Sequence, residues 1–135
     1  MDEASITTLF VYGTLMRASG HPMAVRLNQQ SLYLGPGRIR ARLYRLGGYP
    51  GAVPSDKAQD SVHGDVIKLL RPVPTLAWLD AYEGCGPDAP EPWAYQRVIT
   101  PVVLSAGENL NAWVYFYQKP VRHARRIPHG RFLKS

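Results

Sequence analysis

Apolar and polar positions divide the chain into short segments whose period changes several times. Residues 7 to 12 (TTLFVY) are apolar and β-branched enough to read as a first strand. Residues 21 to 30 (HPMAVRLNQQ) read as a short helix. From Gly37 the pattern becomes strictly alternating. Arg38, Arg40 and Arg42 fall on one face and Ile39, Ala41 and Leu43 on the other, as in a strand with one wet side. GGYPGAVPS, residues 47 to 55, is dense in Gly and Pro and reads as a shaped loop. Gly64 to Leu70 reads as a strand. Pro72 to Glu83 reads as a helix, with proline tolerated in its first turn and Gly84 as its stop. CGPDAPEPWA follows as a loop. Tyr95 to Leu104 and Leu110 to Tyr117 read as two strands joined by a tight turn, and the last fifteen or so residues have no clear period. Short connections predict a largely antiparallel sheet flanked by a few helices, an α/β (α+β) chain.

Composition narrows this picture in three ways. The 135 residues, 45% hydrophobic and 19% charged, suit one domain with one core. No stretch is long and apolar enough to span a bilayer, and the acidic start MDEASITT does not resemble a secretory signal. Cys85 is the only cysteine, so no internal disulfide can form, which fits a cytoplasmic location. The charge of +6 is unevenly placed. Residues 1 to 118 carry ten basic and ten acidic side chains, whereas Lys119, Arg122, Arg125, Arg126, Arg131 and Lys134 stand in a tail without any acid. Such a tail either binds an anion or lies solvated over the surface. No reader motif accompanies it, so nucleic acid is not the expected partner.

Candidate chemistry concentrates in the segment TLAWLDAYEG. At about 100° per residue, Leu76, Leu79 and Glu83 fall together, with Trp78 and Tyr82 extending the same side. A carboxylate at the edge of an apolar face, near the negative end of a helix, is expected to hold its proton more tightly than usual. That is the tuning an acid–base catalyst needs. The alternative is a Glu83 that reaches water or pairs with an arginine such as Arg97. Asp80 lies further round and reads as a surface or structural group. Cys85 could form a nucleophile pair with a histidine, but no spacing connects it to His21, His63, His123 or His129, and these show no metal-ligand spacing. In AWVYFYQ, Tyr115 or Tyr117 could turn its hydroxyl into a pocket. FVYGTLM places a glycine directly after the first strand, where backbone can approach a ligand.

Taken in order, FVYGTLM, GGYPGAVP, HGDV, LDAYEG, AYQR and AWVYFYQ resemble the gamma-glutamyl cyclotransferase-like superfamily, in particular its short bacterial and gamma-glutamylamine-type members. The resemblance runs from about Leu9 to Gln118. It implies one domain over residues 1–135, with a core at 7–118 and a basic tail at 119–135. The implied fold is a mixed, largely antiparallel sheet forming a partial barrel around a cavity. The implied reaction cyclises a gamma-glutamyl amine or peptide to 5-oxoproline and frees the amine, without cofactor or metal. By the same resemblance Tyr12, Gly13, Thr14 and Leu15 bind the glutamyl portion, Glu83 is the catalytic acid–base, Tyr115 lies at the cavity, and Tyr49 and Pro50 shape its wall. The Pro-rich loop after Gly84 and the charge of the tail depart from the pattern. A non-catalytic binder of small anionic ligands on the same fold is the rival expectation.

Overall fold

A computed structural model describes residues 5–133; Asp2 and Glu3 of the acidic start and Lys134 of the basic tail lie outside them. The described chain runs β1 (Thr8–Val11), a 3-10 turn (Arg17–Ser19), α1 (Pro22–Asn28), β2 (Ser31–Ile39), β3 (Ala41–Arg45), β4 (Pro50–Pro54), β5 (Val62–Leu69), α2 (Pro72–Glu83), β6 (Tyr95–Leu104), β7 (Asn109–Tyr117) and β8 (Arg125–Ile127). Five strands close into a barrel in the order β1-β5-β2-β6-β7, and β4-β3-β8 form a second, three-stranded sheet. Every pairing is antiparallel except that of β1 with β7, where Leu9 meets Trp113 and closes the barrel. The expected mixed, mostly antiparallel α+β architecture is therefore present.

The first strand explains its own apolar run. Phe10 and Tyr12 point into one core with Val66, Val114 and Phe116, while Leu9 and Val11 join a second core with Leu27, Leu76, Leu79 and Trp113. A strand buried on both faces needs apolar residues at every position. The second core seats α2 through Leu76 and Leu79.

The structure departs from the sequence expectations in the middle of the chain. The alternating stretch after Gly37 is not one strand but two. It breaks at Arg40, and β2 and β3 belong to different sheets, although the burial of Ile39, Ala41 and Leu43 persists across the break. β2 begins at Ser31, directly after α1, through SLYLGPG, where a register shift between Tyr33 and Gly35 accommodates the glycine. Residues 50–54, expected in a loop, form β4. Its two prolines stand at the ends of an edge strand, the place in a sheet that tolerates them.

The basic tail is also structured. β8 pairs with β3, Arg126 reaches Asp60 at 3.0 Å, and the Gly130 carbonyl accepts the His63 N–H at 2.8 Å. Asp60 also accepts from the Ser55 hydroxyl and Arg42, and these partners, Ser55 first, hold its carboxyl down to about 2. Part of the tail's charge is thus matched by a buried acid on the body of the fold.

Candidate functional site

α2 ends where its sequence says it should. Gly84 adopts φ 74°, left-handed backbone that glycine enters without strain, and Glu83 becomes the last helical residue. At the opposite side of the same space, β1 ends at Val11 and the chain bends through Gly13. A Cβ at Gly13 would collide with the Pro50 ring, so glycine is required there by close packing rather than by its dihedral angles. The Gly13 carbonyl accepts the Met16 N–H at 3.0 Å, which fixes the turn.

Between these elements lies a cavity of about 500 Å³. Its lining includes Tyr12, Gly13, Thr14, Leu15, Tyr49, Pro50, Tyr115 and Glu83, so all eight residues singled out from the sequence border one space. Tyr117 does not. It packs edge-on against Tyr95, with ring centroids 5.4 Å apart.

Glu83 is partly buried, and burial pushes its carboxyl up from 4.5 to about 7. Among the described residues nothing donates a hydrogen bond to it and no cation pairs with it. The pairing with Arg97 allowed for on sequence grounds is not formed. Arg97 instead grips Asp80 with two hydrogen bonds, Nε to Oδ1 at 2.8 Å and a terminal nitrogen to Oδ2 at 3.0 Å, while its guanidinium lies 4.1 Å over the Trp113 ring. Asp80 Oδ1 accepts the Tyr115 hydroxyl proton at 2.6 Å. Asp80 is therefore a structural anchor that locks β6, β7 and α2 together and fixes Tyr115 in the cavity wall.

The other buried tyrosines are tied just as firmly. Tyr12 donates to the Tyr115 carbonyl at 2.6 Å and accepts from the Ala52 N–H at 3.1 Å, so its hydroxyl joins β1, β7 and β4. Tyr95 donates to the Pro50 carbonyl at 2.6 Å. Desolvation raises the proton affinity of all three phenols, so they remain neutral. Tyr12 thus borders the cavity as a wall whose hydroxyl is already engaged. The N–H groups of Gly13, Thr14 and Leu15, by contrast, donate to no protein acceptor among the described residues. A turn that leaves successive amides unpaired beside a cavity is suited to an anion or an oxyanion.

Cys85 is buried, its Sγ lies 4.0 Å from Asp80 Oδ1, and burial followed by the nearby carboxylates pushes its thiol up to about 11. A thiol held protonated in this way is a poor nucleophile. The sequence did not single out Tyr95, Tyr82 or His21 as site residues, yet each lines the cavity. Tyr95 could have been found from its place in AYQR. His21 stood only among four histidines that no spacing connects, because its place at the cavity depends on the contacts of Ser19 with Thr14 and with the His21 N–H.

No helix among the described residues is long and apolar enough to cross a membrane. Comparison with known proteins now gives the site a context. The family described as gamma-glutamyl cyclotransferase, AIG2-like, matches residues 9–134. The chain is 36% identical over 126 residues to the gamma-glutamylcyclotransferase family protein ytfP of Citrobacter rodentium, covering 93% of this chain and 94% of that protein. It matches YtfP of Escherichia coli K12 at the same identity, over 93% of this chain and 95% of that protein. The solution structure of the E. coli protein superposes with a TM-score of 0.61 at 33% identity, covering 93% of this chain and 96% of that one. An AIG2-like protein from Mus musculus gives a TM-score of 0.69 over 96% of both chains, at 22% identity, a likeness of fold. By the family match and the identity with these bacterial relatives, the chain belongs to the gamma-glutamyl cyclotransferase, AIG2-like family.

Proposed function

We propose that the protein is an intramolecular cyclotransferase acting on a gamma-glutamyl amine or peptide. The observation that carries this reading is a carboxyl raised to about 7, Glu83, bordering the same cavity as the unpaired amides of residues 13–15. As a carboxylate, Glu83 takes a proton from the substrate's α-ammonium. The freed α-amine attacks the γ-carbonyl carbon, and the oxyanion that develops is met by loop N–H groups. The C–N bond to the leaving amine then breaks as Glu83 returns the proton to that nitrogen, and the ring nitrogen sheds its remaining extra proton, which the freed amine carries away as an ammonium. The products are 5-oxoproline and a free amine, and Glu83 ends as it began.

Two physical terms favour this assignment. A group with its proton affinity near neutrality works in both directions, worth roughly 100- to 10,000-fold. Holding the substrate folded, with nucleophile and carbonyl in contact, removes the torsional freedom that ring closure would otherwise have to overcome. Tyr12, Tyr115, Tyr49 and Pro50 supply the walls that impose this folding, and Tyr49, half-exposed, stands at the rim where the leaving amine would project.

The test is release of 5-oxoproline from a panel of gamma-glutamyl amides and dipeptides. Turnover of at least one member, abolished by Glu83→Gln, is the expected result. Ligand binding with no turnover across the panel would replace the enzyme by a binding module of the same fold.

A further inference from the structure

Hydrogen-bond polarity divides the cavity into two parts. Tyr12, Tyr95 and Tyr115 commit their protons to protein acceptors, the Tyr115 carbonyl, the Pro50 carbonyl and Asp80 Oδ1. None of the three can donate to a ligand, the Tyr12 hydroxyl also accepts from the Ala52 N–H, and Glu83 beside them is a carboxyl group. This part suits an ammonium or another N–H donor. Donors for the opposite end of a ligand come from elsewhere, and the buried part of the lining contains no lysine or arginine.

His21 fills that role by its geometry. Its backbone N–H donates to Ser19 Oγ at 3.1 Å, and Ser19 Oγ donates to the Thr14 carbonyl at 2.6 Å. Its Nδ1 caps α1 by accepting the Met23 N–H at 3.0 Å. The residue is therefore fastened on one side to the Gly13–Leu15 turn and on the other to the helix. An imidazole whose Nδ1 accepts carries its single proton on Nε2 when neutral. His21 lines the cavity, and its ring centroid lies 6.2 Å from that of Tyr82, the neighbour of Glu83.

We propose that His21 binds the ligand directly: its Nε2–H donates to a carboxylate, next to the unpaired amides of residues 13–15. The inference rests on the cyclotransferase reading for the identity of that group, the α-carboxylate of the gamma-glutamyl unit. With the carboxylate held at the His21 end, the α-ammonium falls toward the acceptors and Glu83. The two ends of one amino-acid head would thus be told apart by hydrogen-bond polarity, without a fixed cation in the site.

The helix-capping and ligand-binding roles of His21 can be separated. Asparagine is a good N-cap, so His21→Asn keeps an acceptor for the Met23 N–H while removing the imidazole Nε2–H. His21→Ala removes both. Binding is measured by NMR titration in a Glu83→Gln background, where nothing turns over. The probes are L-gamma-glutamyl amides bearing a free α-carboxylate and the same amides as α-carboxamides. The expected result is that His21→Asn leaves the melting temperature unchanged. It should weaken carboxylate probes by about tenfold or more, the size of one charge-assisted hydrogen bond, and change carboxamide probes less than twofold. His21→Ala should lower the melting temperature as well. Equal affinity of His21→Asn for the carboxylate probes would overturn this inference while leaving the cyclotransferase reading intact. No binding of any probe to the Glu83→Gln protein, together with no turnover by the wild type, would overturn both.

Discussion

Two carboxylates one turn apart on α2 live in opposite environments. Asp80 faces β6 and β7 and is saturated by Arg97 and the Tyr115 hydroxyl, with every oxygen accounted for. Glu83 faces the cavity with no partner among the described residues. The helix contributes the same backbone to both, so the difference comes from what packs against each side. An acid surrounded by donors is held in place, whereas an acid surrounded by apolar walls and phenol lone pairs is free to exchange a proton. The first kind of site fixes geometry and the second is suited to proton transfer, and Asp80 fixes the Tyr115 side chain that borders the same cavity as Glu83.

That contrast can be attacked at each carboxylate. Replacing Glu83 by Gln should cost a hundredfold or more in 5-oxoproline formation with KM little altered, because the carboxyl is assigned to proton transfer rather than to binding. Full activity in that variant would end its assignment. The same substitution should alter the pH dependence of stability. The folded protein holds the Glu83 proton up to about 7, while the unfolded chain releases it near 4.5. Between those values the folded state binds more protons, so stability falls as pH rises, on the order of 2 kcal/mol after allowance for partial solvent access. Urea unfolding of wild type and Glu83→Gln at pH 5 and pH 8 should show this fall in the wild type alone.

On the Asp80 side, Arg97→Met should destabilise the fold by about 2 kcal/mol, since it strands a desolvated carboxylate, and it should loosen Tyr115. An unchanged unfolding midpoint would show that Asp80 does not need its arginine. The smallest expected effect is at the opposite wall. Gly13→Ala pushes against the Pro50 ring, costing about 1–2 kcal/mol. It should lower kcat as well as raise KM, because it displaces the turn amides assigned to the developing oxyanion and leaves Glu83 untouched.

The uneven legibility of the sequence follows from the same distinction between local and distant causes. α2 was legible to the residue because Pro72 and Gly84 punctuate it locally. The positions of Glu83 and of the Gly13 turn were legible as motifs in order along the chain. Asp80 reads from sequence as a surface or structural group and is structural, but its partners were not legible, because a helical wheel reports only its own helix and Arg97 and Tyr115 arrive from strands further along the sequence. β4 was hidden because its prolines and glycines signal a loop unless the strand is known to lie at an edge. The tail's strand was hidden because three residues are too few to show a period, and its partner β3 lies about eighty residues earlier. His21 was invisible for the related reason that its meaning depends on Ser19 and Thr14 forming a turn.

The closure of the barrel by β1 against β7 has a consequence for synthesis. A ribosome makes β7 about a hundred residues after β1, which at ordinary elongation rates is on the order of 5–20 s. Until β7 follows, a strand with apolar side chains on both faces lacks the neighbour that closes the barrel. β5, its antiparallel neighbour, comes halfway through and can shield only one edge. The nascent chain is therefore most exposed to off-pathway association in the window between β1 and β7, before the cavity has any shape.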